Sequence, residues 1–377
     1  MRDFSLEVYF SRWEFNCEIN LAGSDAESLS LQELLALGSD ADRQAFENTH
    51  LGYTETYGSP SLREAIAGTY DSVSREDVLC FAGAEEAIYT VNRVVLGPED
   101  HAVVITPNYQ AAETVPLSIC EISGVALDID RGWELDIDAV RAAIRPNTRL
   151  VSINFPNNPT GKIIPRASLD ALIAMCREQG IWLFSDEVYR LFERDESLRL
   201  PQAVDLYERG ISLNVMSKAY GLPGLRIGWL ACKDREMLAR FERYKHYLSI
   251  CNSAPSEALA RIAIQARDAI LSRNRAIVAS NRKALDKFFA NHSNLFEWRQ
   301  PDGGCVGFIR YKGRDGVEAF TRRLVEESGV LLLPSSVFRS EVAEVPADCI
   351  RIGFGHSNVP EGLERLERWL ARSGNGS

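Results

Sequence analysis

The chain has 377 residues, with 42 Lys plus Arg against 53 Asp plus Glu, 45% hydrophobic residues and a formal net charge of −11. That length is enough to bury a sizeable core, as a large two-lobed protein or as two to three small domains. A net acidic chain without a basic run has no general affinity for phosphate backbones or anionic lipid, so neither nucleic acid nor a membrane is an expected partner.

The first stretch, MRDFSLEVYFSRWEF, carries charge and no apolar core of signal-peptide length. No apolar run anywhere approaches the roughly 18 residues of a spanning helix, and a cytoplasmic location is the expectation. Up to about residue 50 there is no strand alternation, and this segment is expected to pack onto the C-terminal lobe. From 77 to 232 short apolar runs recur: DVLCFAG (77–83), HAVVITP (101–107), RLVSINFP (149–156), IWLFSDE (181–187), ISLNVMSK (211–218) and RIGWLAC (226–232). Their length, β-branched content and Gly, Pro, Ser or acidic ends predict strands. Helix-period stretches lie between most of them, such as GAEEAIYTVNRVVL and SLDALIAMCREQG.

This alternation predicts an α/β fold whose large domain is a mostly parallel sheet covered by helices on both faces. After 232 the pattern changes to long polar helices, near 234–247, 255–290 and 315–328, with short strands near 306–311 and 349–354. The expected division is a large domain at 51–250 and a smaller α+β domain made of 1–50 with 251–377. There is no internal repeat, and only the tail SGNGS reads as disordered. The cysteines, at 17, 80, 120, 176, 232, 251, 305 and 349, show neither the CxxC pairs of a metal site nor the density of a disulfide scaffold, so reduced and mostly buried thiols are expected, with no metal.

In open parallel sheets ligands bind beyond the carboxyl ends of the strands, so the chemistry is sought among the residues there. Lys218 comes after one apolar run in VMSKAYGLPGLRIGW, with Ser217 before it and Arg226 eight residues on. Asp186 ends a second run, where a carboxylate is costly without a partner, and Tyr189 stands three residues beyond. Asn158 lies past a third run, in NFPNNPTGK. Gly83 stands at a strand-to-helix junction, where the N–H groups of Ala84 and Glu85 would face an anion. Tyr109 comes after another strand and could stack on a flat ring. Pyridoxal 5′-phosphate needs an amine, a carboxylate for its ring nitrogen, donors to its phenolate oxygen, an aromatic face and a phosphate cup, and every one of these is present.

With SKAYGLPGLRIGW and NNPTG as they stand, the chain resembles the fold-type I pyridoxal-phosphate enzymes of the class I/II aminotransferase family, from about Tyr53 to Arg351. The resemblance implies that Lys218 is the Schiff-base lysine, that Asp186 pairs with the pyridinium nitrogen, and that Tyr189 and Asn158 donate to the phenolate oxygen. It implies further that Tyr109 stacks on the ring and that the main chain at Ala84 and Glu85, with Ser217 and Arg226, holds the phosphate. YTETYGSPSLREA is similar to the family element that brings a tyrosine, here Tyr53, from the neighbouring subunit, which implies a homodimer. Arg351 in CIRIGFG matches the arginine that clamps the substrate α-carboxylate. Amino acid and keto acid are the substrates so implied, and the activity is transamination.

Reaction type stays open on the residues alone. GLPGLRIGW and YFSRWEF are also similar to capreomycidine synthase and related enzymes acting on arginine derivatives, and the lysine loop is similar to aminocyclopropanecarboxylate synthases. A cyclase, eliminase or oxidase is therefore the alternative. Aminotransferase-like domains also serve as sensors in transcription regulators, but the residues before Tyr53 are too few and not basic enough for a DNA-binding domain. Where the family has its N-terminal substrate loop, this chain has LAGSDAESL. Asp25 and Glu27 there either meet a cationic substrate group such as a guanidinium, or serve a helix start, since Ser24 and Asp25 precede the helical SLSLQELLAL.

Overall fold

Seven strands form the central sheet of the computed structural model, which describes residues 1–372; the expectation for SGNGS falls outside them. In spatial order they are Val78–Phe81, Gly228–Cys232, Gly210–Val215, Trp182–Asp186, Thr148–Asn154, His101–Thr106 and Glu121–Ala126. Gly228–Cys232 runs antiparallel to both neighbours, and the other pairings are parallel. The sheet is thus mostly parallel. Side chains alternate between two clusters as a period of two requires. Ala102, Leu150, Phe184 and Ile211 pack with Ala87, Ile88 and Val91 of the helix Ala84–Val95. Val103, Val151 and Leu183 pack with Leu169, Leu172 and Ile173 of the helix Arg166–Gln179.

Periodicity does not reveal Glu121–Ala126. It is an edge strand with Gly124 in its middle and only Val125 buried, so no apolar alternation marks it. The predicted helix over 255–290 is two helices, Ala254–Gln265 and Arg267–Asn291, which meet at Ala266 with φ −92° and ψ 14°. In the C-terminal part Val306–Tyr311 and Cys349–Gly353 pair antiparallel within a four-stranded sheet.

The N-terminal segment does hold a strand, Ile19–Asn20, parallel to Val330–Leu331 and too short for alternation to show. It also touches more than the C-terminal lobe. Arg2 donates to Glu113 at 3.3 Å and to the Arg339 carbonyl at 2.8 Å. Leu34, of the helix Leu31–Ala36, is buried with Leu62, Ile66, Trp229 and Ile262. That cluster joins residues on both sides of 50/51 and 250/251, and the two-domain division remains a proposal.

Candidate active site

Asp186 ends a strand buried along its whole length and is itself 9% exposed. Burial pushes its carboxyl up to about 6, against the Val188 N–H, which donates to Oδ1 at 3.2 Å, and against the charge of Lys218. Lys218 lies just past the strand Gly210–Val215. Its Nζ donates to Ser24 Oγ at 2.8 Å and lies 5.7 Å from the centre of the Tyr189 ring. Desolvation draws the Lys218 ammonium below the ordinary lysine value, opposed by the charges of Asp25 and Asp186. The Tyr189 hydroxyl donates to the Ser24 carbonyl at 2.9 Å, and burial holds its phenol proton tightly.

Arg351 lies in the middle of the strand Cys349–Gly353 and is fully buried. Its Nη1 donates to Asn158 Oδ1 at 3.1 Å and its Nη2 to the Ala22 carbonyl at 2.6 Å, while Nε has no partner. Among the described residues neither Arg351, Lys218 nor Asp186 belongs to an ion pair. A buried guanidinium with an unsatisfied N–H and no carboxylate is costly, and an anionic ligand would relieve it. Asn158 is held by its own N–H, which donates to Asn154 Oδ1 at 2.8 Å. Asn154 in turn donates to the Asp186 carbonyl at 3.0 Å, which ties two strand ends together.

Gly83 adopts φ +95°, and a Cβ there would stand 2.5 Å from Arg226 Nη2. A side chain would therefore fill the space between the guanidinium and the start of the helix Ala84–Val95, which is where an anion would sit. Arg226, at φ 51°, turns back so that Nη1 meets the Pro223 carbonyl at 3.2 Å. Ser217 is half-buried beside Lys218. Tyr109 packs on Phe4 with ring centres 5.0 Å apart, and its hydroxyl reaches Glu7 at 3.5 Å. The Glu85 side chain also bonds to it, and burial pushes the Glu85 carboxyl up to about 7.

Asp25 and Glu27 do not cap the helix Leu31–Ala36. Ser30 does, accepting from the Glu33 N–H while Glu33 reaches back to the Ser30 N–H. The three-residue spacing Ser-x-x-Glu is the stronger signal, because it satisfies two helix-end donors at once. Asp25 Oδ1 instead lies 3.1 Å from His356 Nε2, and Glu27 Oε2 accepts from the Ser357 N–H at 2.6 Å. Tyr53 stands apart from all of these at 91% exposed. Sequence reasoning missed Ser24 as the partner of Lys218, and it missed His356 and Cys305 beside Ser24 and Asp25. Cys305 Sγ lies 3.5 and 3.4 Å from the carbonyls of Ser24 and Asp25. His356 stands just past the strand that carries Arg351, but that strand is antiparallel to its neighbours, so the rule for parallel strand ends gives no signal there.

An unpaired amine, an unpaired carboxylate, a guanidinium lacking an anion and a helix start kept open by Gly83 match the amine, ring-nitrogen, carboxylate and phosphate requirements of pyridoxal phosphate with its amino acid, so the residues present fit the cofactor. The fold and this cleft define a pyridoxal-phosphate-dependent enzyme of fold type I. The family described as aminotransferase class I and II matches residues 19–366, and the chain belongs to it. Capreomycidine synthase of Streptomyces vinaceus is 28% identical over 374 residues, covering 97% of this chain and 91% of that one. The arginine–pyruvate transaminase of Pseudomonas aeruginosa is 30% identical, covering 78% of this chain and 76% of that one. Among solved structures, a PLP-dependent aminotransferase from Streptococcus suis superimposes with a TM-score of 0.91 at 31% identity, over 98% of both chains.

Proposed function

We propose that this enzyme transfers the amino group of an α-amino acid to a keto acid, with Lys218 as the reacting amine. The observation that carries this reading is that two desolvated cations, Lys218 and Arg351, and a buried carboxylate, Asp186, which Lys218 acts on through space, have no ion-pair partner among the described residues. Pyridoxal phosphate, when bound, supplies the electron sink for the bond broken at the substrate α-carbon. Arg351 binds the α-carboxylate through the Nε and Nη edges of its guanidinium and so orients the α-carbon. Lys218 Nζ, its proton loosened by desolvation, takes the proton from that carbon and later returns one. Asp186 keeps a proton on the ring nitrogen, since a buried carboxyl pushed up to about 6 gains most from a cationic neighbour. Asn158 and Tyr189 would hold the phenolate oxygen, Tyr109 would stack against the ring, and Ala84, Glu85, Ser217 and Arg226 would hold the phosphate.

Incubation with pyridoxal phosphate, a panel of amino acids and one keto acid tests the reading, with products identified by mass spectrometry. Exchange of the amino group is the expected result. Release of ammonia, or a cyclic product without a second keto acid being consumed, would place the enzyme on the alternative route of cyclisation, elimination or oxidation. That second reading is favoured by the near full-length similarity to capreomycidine synthase. For it, Asp25 and Glu27 are the groups proposed to meet a cationic side chain, and both lie near Lys218 or His356.

Arg351→Gln is expected to raise KM for the amino acid by about 100-fold or more, because it removes a charged hydrogen-bonding group from a desolvated site, worth roughly 2–5 kcal/mol. Steady-state kinetics against an α-amino acid and its decarboxylated amine measure this; an equal effect on the amine would show that Arg351 does not hold the carboxylate.

We propose further a homodimer with shared sites. Tyr53 is 91% exposed, and beside it Leu51, Tyr247 and Ile250 are 82%, 88% and 49% exposed. Thr54 Oγ1 donates to the Asn252 carbonyl at 2.8 Å, which joins these two segments into one apolar patch. Mixing Tyr53→Ala and Lys218→Ala chains is expected to restore about a quarter of the wild-type rate, since half of random dimers are hybrids and one of their two sites keeps both groups. Activity no higher than the sum of the parents would argue for self-contained sites. The eight free thiols, six of them buried, suit a reducing compartment and support a cytoplasmic location.

A further inference from the structure

We propose that His356 is a positioning residue: its Nε2 fixes the Asp25 carboxylate near the Lys218 amine, on the loop that presents Ser24 Oγ to the same amine. The inference rests on the reading that Lys218 is the reacting lysine. Residues 21–27 lie backbone to backbone against 353–357. Gly353 N donates to the Leu21 carbonyl at 2.7 Å and Glu27 N to the Gly355 carbonyl at 2.9 Å. A Cβ on Gly353 would stand 1.8 Å from the Gly23 carbonyl oxygen, and one on Gly355 2.0 Å from that of Asp25, so both contacts need glycine. Asn281 Nδ2 donates to the carbonyls of Phe354 and His356 at 3.1 and 2.7 Å and fixes the second segment from behind.

The backbone is thereby set without the imidazole, and the ring is left to act on side chains. Nε2 is 3.1 Å from Asp25 Oδ1, and Nδ1 is 3.9 Å from Glu27 Oε2. One loop consequently delivers three contacts to the catalytic cleft. Ser24 Oγ accepts from Lys218 Nζ at 2.8 Å, the Ser24 carbonyl accepts from Tyr189 at 2.9 Å, and Asp25 places its carboxylate near the same amine.

The charges around this arrangement make it testable. His356 faces Asp25 and Glu27, and the hydrogen bond to Asp25, with the charges of both carboxylates, raises its pKa against the pull of burial and so favours the cationic ring. Asp25 faces His356, Lys218 and, more distantly, Glu14; against the push of burial, His356 keeps it ionised. Lys218 faces Asp25, Asp186, Arg351 and the Cys305 thiol, whose pKa burial pushes up to about 12, leaving it neutral. Arg273 donates to the carbonyls of Glu27 and Ser28, and its charge also acts on the Glu27 carboxylate. Removing the imidazolium therefore leaves the Asp25 charge less compensated and strengthens the hold of Lys218 on its proton. Neutralising Asp25 does the reverse.

The full-length chain freed of cofactor is treated with acetic anhydride across a pH series, and acetylation at Lys218 is read by peptide mass spectrometry in wild type, His356→Gln, His356→Leu and Asp25→Asn. The midpoint for Lys218 is expected to fall by about one pH unit in Asp25→Asn and to rise in His356→Gln, as a charge within a few ångströms requires. With cofactor, His356→Leu is expected to lose about tenfold or more in kcat with KM little changed, on neutral and basic amino acids alike, and His356→Gln to regain most of the rate, because its amide can still hold Asp25. Coincident Lys218 midpoints in all four proteins overturn the proposal. So does a loss confined to basic substrates, which would return Asp25 to direct substrate contact. Should thermal unfolding show His356→Leu to be misfolded, the midpoints of Asp25→Asn and His356→Gln decide alone. Acetylation reads the amine itself, so it stands apart from whether Lys218 is the lysine that carries the cofactor.

Discussion

Lys218→Ala is expected to lower kcat by about 10⁴-fold or more, the upper range of what a positioned general base contributes, while leaving the fold intact. The side chain is partly buried and makes one hydrogen bond, to Ser24, so its removal costs little packing. Borohydride reduction of the cofactor-loaded wild-type protein, with peptide mapping of the product, is expected to mark Lys218 and no other lysine. A label on another lysine, or a Lys218→Ala enzyme of near-normal rate, would end the present reading. The direction of the pH effect comes from desolvation. An ammonium drawn below the ordinary lysine value gives up its proton at a lower pH than a surface lysine, so the rising limb of the kcat profile should lie below the pH at which exposed lysines titrate.

Asp186→Asn is expected to leave pyridoxal phosphate bound and to lower turnover by about three orders of magnitude, roughly 4 kcal/mol at tenfold per 1.4 kcal/mol. The carboxyl is 9% exposed, lies at the end of a fully buried strand and has no ion-pair partner among the described residues, Lys218 acting on it through space. Asn keeps the shape and loses the charge that holds a proton on the ring nitrogen, and the electron sink weakens accordingly. The sign of the pH effect is that of a carboxyl whose pKa burial has raised to about 6. Above that value the ionised form is present to pair with a cation; as pH falls through it the pairing is lost, and the wild type should hold the cofactor less tightly, approaching the weaker but still measurable hold of Asp186→Asn. Dialysis at stepped pH, read by the cofactor absorbance, measures this. Near-normal turnover in Asp186→Asn would remove Asp186 from the mechanism.

Much of the candidate site was legible because its parts lie at the ends of strands whose period is local. FSDEVY, NVMSKAY and INFPNNP announce their strands by apolar content, and the residues just beyond the carboxyl ends of parallel neighbours necessarily gather at one edge of the sheet. The same locality made Glu121–Ala126 invisible, since an edge strand with a glycine at its centre buries too little to show a pattern. The break at Ala266 escaped for a related reason: the residues on either side continue a helix period, and no Gly or Pro marks the stop.

The amino-acid sequence by itself determined the alternating α/β order, the mostly parallel sheet and the chemical types at its strand ends, with Lys218, Asp186, Asn158 and the Gly83 turn among them. Only the tertiary structure decided that Ser24, 194 positions away, receives the Lys218 amine, that Arg351 finds Asn158 across 193 positions, and that Asp25 meets His356 across 331. None of these partners carries a local signal, because a serine, an aspartate or a histidine in a loop is consistent with many surroundings. They are brought together by the close backbone approach of residues 21–27 to 353–357, which glycines at 353 and 355 permit and which tertiary packing, rather than any short-range preference, selects.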